Sequence, residues 1–355
     1  MRFTDVFSAQ SIAFRRTVDA SNAVPFLGTT WFPNKRKNGI TLKWIKGHKG
    51  VGVALKPSSF DALATIRPRA GVTTLEQEMP LFRESMTVKE HDLMELERIK
   101  DSNDSYLDDV IEHVYNDTGE LIDGAEISAE RMRMQLLAPA SGEMQISVGL
   151  ADNTAYIYDY DSDDSWKGTH YASLSGNATW DNAATAKPLK DIRTGVEALT
   201  DIGVVATYAL MNSKTFDYLL ENAQMKNALI TTSGVNVDFM TKDKLKELFR
   251  SMTGLIPVLY DKKYKDYDGT TKKFYPDDYV TIIGDGELGN TWFGVTPEER
   301  TLREDANVDV SVMDNGIAVA VQTVYGPPVQ YNTTASMIAL PSFEGMDEIY
   351  VIKVK

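Results

Sequence analysis

The chain is divided in charge along its length, and that division limits what its first part can be packed into. From Arg2 to Arg69 there are twelve lysines and arginines against only Asp5, Asp19 and Asp61, a net of +9, which leaves 25 cations and 48 carboxylates in the remainder of a chain of formal charge −14. The same segment is broken by glycine and proline at Pro25, Gly28, Pro33, Gly39, Gly47, Gly50, Gly52, Pro57, Pro68 and Gly71. Such punctuation disfavours packed regular elements and favours extended chain. The front therefore reads as basic arms and the rest as an acidic body. Opposite signs on separate parts of one chain suggest a protein that binds copies of itself.

With 355 residues, 43% of them hydrophobic, the chain can bury a sizeable core in two domains or one large one. It contains no cysteine, which excludes disulfides, thiolate metal sites and cysteine nucleophiles. The opening MRFTDVFSAQSIAFRR has neither an uninterrupted apolar stretch nor a small-residue cleavage site, and no later run approaches the ~18 apolar residues of a membrane span. A cytosolic origin fits, with no membrane partner. A sequence pI near 4.8 argues against wrapping nucleic acid over the whole surface, because neutralising phosphates takes clustered cations. The aromatics of the basic segment, Trp31, Phe32 and Trp44, are not spaced as a base-stacking platform.

Met1 to Ile45 shows no sustained period and behaves as an arm. Lys46 to Ser85 has strand-like pieces on either side of Pro68-Arg69-Ala70-Gly71, the pattern of a long two-stranded loop. Two strands of about twenty residues reach roughly 65 Å, against a radius of gyration of about 20 Å for a globule of this length. An isolated ribbon is marginal in water, so this loop needs a surface, much of it on a neighbour.

Helical period follows. Leu107, Val110, Ile111, Val114 and Tyr115 share one face, and a second helix is expected from about Ala125 to just before Pro139. Alternation at Ile146, Val148 and Leu150, then Tyr156, Tyr158 and Tyr160, predicts strands. Lys187 to Asn315 alternates helix and strand. Ile192, Val196 and Leu199 mark one helix, Ser213 caps another, and Thr241 caps a third with Leu245, Leu248, Phe249 and Met252 inward and Gly254 at its end. GVVATYALM, LIPVLY, DYVTIIG and TWFGV read as strands. The end is strand-rich, with VDVSV, a turn at Asn315-Gly316, IAVAVQTVYG and EIYVIKV, the last returning to the sheet begun near Met144.

No catalytic set emerges. Gly284, Gly286 and Gly289 follow an apolar strand as a dinucleotide fingerprint does, but that motif needs a helix N-terminus next, and Asn290 to Gly294 continue as strand. A glycine-rich hairpin is the better reading. Asp159, Asp161 and Asp163 resemble the first ligands of a calcium loop, yet its sixth and twelfth positions hold Asp164 and His170 instead of glycine and glutamate. His48, His91, His113 and His170 form no zinc-ligand spacing. Glu76 and Glu78 lie on one face of the loop and are expected to meet a partner's arginine. No cofactor is called for.

The segments WFPNKRKNG, TIRPRAGVTTLEQEMPLFRES, ERIKDSNDSYLDDVIEHVYNDTGELIDGAEISAERMRMQLLA and GVVATYALMNSKTFDYLLEN, in that order, resemble the major capsid proteins of lambda-type tailed bacteriophages, the phage major capsid protein E family. The resemblance implies an α+β chain with the Hong Kong 97-type capsid fold of tailed phages and herpesviruses. Carried over, residues 1–45 are the N-terminal arm, 46–85 the extended β-hairpin loop, 86–186 plus 316–355 the peripheral domain with its long spine helix and β-sheet, and 187–315 the α/β axial domain. The implied function is a structural shell protein, not an enzyme. It assembles in the host bacterial cytoplasm, through hexamers and pentamers, into the icosahedral virion head around double-stranded DNA. Expected partners are further copies of itself, a scaffold, a portal and a decoration protein. Arg15, Arg16, Lys35, Arg36, Lys37, Lys43, Lys46, Lys49, Arg67 and Arg69 are the cations expected in contacts between subunits. Two alternatives stand beside this reading: a nucleotide-dependent enzyme using the Gly284 loop, and an encapsulin-like bacterial compartment protein.

Overall fold

The computed structural model describes residues 8–10, 26–46, 73–88, 90, 94, 106–149, 155–233, 241–266, 268–301, 305, 308–313, 316–324 and 330–355. They divide into two compact units. The first is drawn from Met1–Leu42, Glu76–Arg131 and Asn290–Ser342, the second from Lys43–Leu75, Met132–Gly289 and Phe343–Lys355.

The first unit is built on a six-stranded sheet whose centre is β16 (Gln330–Ser342), a 13-residue strand of about 43 Å. Antiparallel β15 (Ala318–Val324) lies along one side of it, followed by β14 (Val308–Val312). Two strands share its other side end to end. β4 (Leu81–Val88) pairs from Tyr331 to Ile338 and β13 (Asn290–Gly294) from Ile338 to Ser342. A short β1 (Asn34–Arg36) then adds in parallel to β13. Pro341 is tolerated in so central a strand because β15 ends opposite Ser336; the side left without a ladder is where a missing N–H does least harm. The strand was not legible in sequence, since its first half, QYNTTA, is polar enough to read as loop.

The second unit holds a five-stranded mixed sheet in the order β7 (Tyr171–Ser173), β17 (Ile349–Lys353), β12 (Tyr279–Gly284), β8 (Ala206–Met211) and β9 (Ile256–Leu259). Every residue of β12 is buried, as the continuous apolar run VTIIG requires of a central strand covered on both faces. Helices α3 (Pro188–Asp201), α4 (Ser213–Glu221), α5 (Ala223–Ser233) and α6 (Lys242–Thr253) belong to this unit. Ile192, Leu199, Phe216, Leu219, Leu245 and Phe249 form its core with Val280, Ile282 and Ile352. Thr241 caps α6 by accepting from the Lys244 N–H, and Gly254 closes it at φ 76°, both as expected. The cap of α4 is Asn212, accepting from Thr215 N, not Ser213. Met252 is 44% exposed and so faces outward. This unit also contains the hairpin of β5 (Gln145–Gly149) with β6 (Ala155–Asp159), the helix α2 (Ser165–His170), and the small hairpin of β10 (Lys263–Lys265) with β11 (Thr271–Lys273).

One helix stands where two were expected. α1 runs from Tyr106 to Leu137, 32 residues and about 48 Å. The stretch NDTGELIDG looked like a break, but it buries Leu121 and Ile122. Tertiary burial of that kind outweighs the modest propensity cost of Gly119 and Gly124. The carboxyl end also differs from expectation: β17 pairs with β12 and β7, not with the hairpin near Met144. Its four buried residues, Ile349 to Ile352, demand neighbours on both sides. Likewise β13 and β14, grouped in sequence with the α/β domain, belong to the six-stranded sheet, while β17 belongs to the five-stranded one. Residues 284–294 are accordingly not a hairpin, since β12 and β13 join different sheets.

Candidate interaction surface

The basic front segment is rooted on its own chain at several points. Ala9 is buried, and its N–H donates to Asp309 Oδ2 of β14 at 2.6 Å. At the 3-10 turn Leu27–Thr30, Gly28 N donates to Glu130 Oε1 at 2.9 Å, a fully buried carboxylate on α1. Trp31 and Phe32 are buried, Thr291 N donates to Pro33 O at 2.9 Å, and β1 follows in register, Asn34 opposite Thr291 and Arg36 opposite Phe293. The expectation that Met1 to Ile45 is an extended arm without packed elements is therefore corrected for these residues. An aromatic pair that finds a cavity is worth several kcal/mol of burial, about 1.5–3 kcal/mol per large side chain, which unpatterned spacing does not reveal.

The arm then turns at a tight junction. A Cβ on Gly294 would lie 2.9 Å from Ile338 and 3.1 Å from both the Gly39 carbonyl oxygen and the Met79 methyl. A larger residue here would press on the Ile338 side chain and the Gly39 carbonyl, so glycine lets the two chain segments sit this close. Beyond it, β2 (Thr41–Lys46) pairs with β3 (Thr73–Glu78) as a two-stranded stem, with Met79 N donating to Ile40 O at 2.8 Å. Along β2, Leu42 and Trp44 are buried, and the Trp44 ring packs 5.3 Å from that of Tyr160. Thr41, Lys43 and Ile45 face outward. Three of the exposed large apolar side chains among the described residues, Ile40, Ile45 and Leu81 at 44–49%, lie in or next to this stem along the chain.

The sequence-predicted cations divide accordingly. Lys35, Arg36 and Lys37 lie in and after β1. The Lys35 ammonium stands 6.0 Å from the Trp292 ring, Arg36 is ion-paired at 2.6 Å with Glu299, and Lys37 N donates to Phe293 O at 2.8 Å. The side chains of Lys35 and Arg36 thus have partners within the chain, whereas Lys37 is held through its backbone. Lys43 and Lys46 belong to β2, and Glu76 and Glu78 are exposed on β3. Arg15, Arg16, Lys49, Arg67 and Arg69 lie outside the described residues. Arg83 was missed. It is ion-paired at 2.5 Å with Glu298, itself almost wholly buried on α7 (Pro297–Arg300). The motif PEER following a strand was the available signal, because two adjacent glutamates at a capped helix start invite arginines.

The chemical motifs resolve into structure. Asp161 is buried, its carboxylate accepting the N–H groups of Trp166 and Lys167 and the Ser165 hydroxyl; it satisfies the first turn of α2 from outside the cap position, which Asp164 occupies. Among the described residues no three of His, Asp and Glu converge to hold a metal ion. His170, stacked 6.1 Å from Trp166, is held below the usual histidine range by burial, which outweighs the opposing pull of Asp347 and Asp161. Burial alone would raise the Asp277 carboxyl, but Lys273 at 2.6 Å and Lys214 at 3.2 Å bring it lower than usual. Gly284 to Gly289 lead into strand β13, so no helix N-terminus faces them. No described helix is long and apolar enough to cross a membrane.

Comparison with known proteins places this architecture. A putative prophage capsid protein of E. coli CFT073 superposes with a TM-score of 0.62 at 12% identity, over 98% of this chain and 99% of its own. A phage-related protein of Bordetella bronchiseptica RB50 gives 0.54 at 12% identity over 96% of each. The capsid asymmetric unit of cyanophage A-1(L) gives 0.50 at 12% identity, over 93% and 92%. No curated protein matches in sequence. The fold is that of tailed-phage capsid proteins. The profile of phage major capsid protein E matches residues 15–307, most of the chain. The chain belongs to the phage major capsid protein E family and is a structural protein of the virion shell.

Proposed function

We propose that copies of this chain assemble without covalent cross-links into hexamers and pentamers of an icosahedral head that encloses double-stranded DNA, with the loop between β2 and β3 laid over a neighbouring copy. The observation that carries this reading is the stem itself: a two-stranded ribbon, rooted on its own chain and edged by exposed Ile40, Ile45 and Leu81. One face of it, at Leu42 and Trp44, is already covered by its own chain, and the exposed apolar residues gain stability once a second surface covers them. On this reading the first unit takes the peripheral role and the second the axial role. The remaining partners are a scaffold, a portal and a decoration protein, with assembly in the host cytoplasm before packaging.

A head-to-tail contact between basic loop and acidic body closes into rings, and opposite charge sets its register more than its strength. An acidic body also suits a container whose lining must release its DNA. The role is structural, without catalysis. The glycine-loop enzyme loses its support because no helix follows Gly289, and the family match favours a phage shell over an encapsulin-like compartment.

Electron microscopy of the purified protein tests the proposal: hollow closed particles are expected, and a monodisperse monomer under all assembly conditions would refute it. Reversing Arg67 and Arg69 to glutamate should leave the subunit folded by circular dichroism while particle yield falls. Unchanged yield would remove those two residues from the contact.

A further inference from the structure

β4 is the strand on which the loop returns to the body, and its hydrophobic pattern sets its register only weakly: Phe82, Met86 and Val88 share one half-buried face, which a slip of two residues would preserve. None of its eight residues is fully buried, Leu81 is 44% exposed, and among the described residues its ladder runs only to β16. A one-residue slip would turn that face outward, but a two-residue slip costs little apolar burial where no residue is fully buried. Polar side chains must supply the missing specification. Three cross-strand links do so along the β4–β16 pair: Ser85 to Thr334 through their hydroxyls, Thr87 Oγ1 to Asn332 Oδ1 at 2.8 Å, and Arg83 opposite Ser336 beneath one shared carboxylate.

That carboxylate is Glu298. It is 2% exposed, accepts from Ser336 Oγ at 2.7 Å through one oxygen, and pairs with the Arg83 guanidinium at 2.5 Å through the other. It therefore binds both members of a single register pair, Ser336 and Arg83. Its neighbour Glu299 holds Arg36 of β1 at 2.6 Å, so one helical turn, fixed by the cap from Thr296 to Glu299 N, grips the root of the arm and the root of the loop. An open groove of about 550 Å³ beside it, lined by Arg83, Glu84, Ser85, Glu298, Gln322 and Thr334, leaves β4 without packing on that flank.

We infer that Glu298 is a positioning residue for assembly: it pins β4 to β16 at the Arg83–Ser336 register and so fixes where the extended loop leaves the body. A two-residue slip of β4 keeps its faces but carries the loop root by about 7 Å, enough to misplace it on any neighbour. Glu299 does the same for the arm through Arg36. The inference rests on the assembly reading for its consequence, though not for its geometry.

The natural absence of cysteine makes the register measurable. Glu84→Cys with Ala335→Cys places two thiols at a paired position that carries none of the three links, and oxidation should link them efficiently when β4 is in register. Adding Glu298→Gln, which keeps the volume and the acceptor for Ser336 but removes the charge facing Arg83, should cut the cross-link yield several-fold. It should also speed amide exchange over residues 81–88 by about tenfold, leaving exchange in the five-stranded sheet unchanged. Arg83→Gln, at a half-exposed position, should do the same, and Glu298→Arg with Arg83→Glu should restore part of the protection. Unchanged cross-linking and exchange at 81–88 in both single variants would overturn the pin. If register is lost while particle yield stays normal, the pin stands and the reading of the loop as an assembly element fails instead.

Discussion

β12 and β4 are both strands of large sheets, but they are held by opposite means. β12 is buried along its whole length between β8 and β17, and apolar area secures it. β4 buries no residue fully and depends on a ladder, two hydroxyl links and an ion pair. The difference teaches where this molecule can afford to change. A core strand reports loss of packing as global instability, whereas an edge strand held by polar groups reports loss of one partner as local slippage.

The comparison can be broken most forcefully from the apolar side. Phe249 is fully buried on α6 in the core of the second unit, so Phe249→Ala should cost about 3–5 kcal/mol. Chemical denaturation would show it as a lower midpoint; a change under 1 kcal/mol would mean that this core is far looser than its burial indicates. A smaller effect is expected where polar groups root the front segment. Glu130→Ala removes the acceptor for Gly28 N and should cost about 1–3 kcal/mol. The loss should be read as faster amide exchange at 27–36, with the five-stranded sheet undisturbed; exchange rising equally in both units would erase the contrast drawn here.

The smallest effect concerns pH. His170 titrates below its usual 6.5 in the folded chain because burial disfavours its charged form. The unfolded chain thus takes up a proton first as pH falls. Stability is at its full value above 6.5 and declines as pH drops from there through the folded value. The wild-type melting temperature should fall slightly more between pH 7 and 5 than that of His170→Gln. A parallel fall in both proteins would show that other groups govern the acid limb.

The same contrast explains what could be read in advance. Periodic apolar residues exposed the α3 and α6 faces, Thr241 and Gly254 announced the ends of α6, and alternation marked β5, β6, β14 and β15. Each of these is a local signal. The Trp31–Phe32 anchor, the Glu298–Arg83 pair and the long polar-fronted β16 depend on residues more than two hundred positions apart or on burial that no period encodes. Arg36 illustrates the limit well: its charge was recognised, but its nearest carboxylate, Glu299, lies 263 positions away.

The order of charges, the missing cysteine and the succession of arm, loop, helix and strand belong to the linear chain, because composition and short-range period are properties of neighbours in sequence. Which strands share a sheet was decided by folding. β17 entered the five-stranded sheet and β13 the six-stranded one because each buried face needed particular neighbours on either side. The same requirement ran α1 through a stretch that reads as a break. And the basic front, extended by its glycines and prolines, acquired its fixed roots only where the buried Glu130, the carboxylates of Asp309 and Glu299, and a buried site for Trp31 and Phe32 came together to hold it.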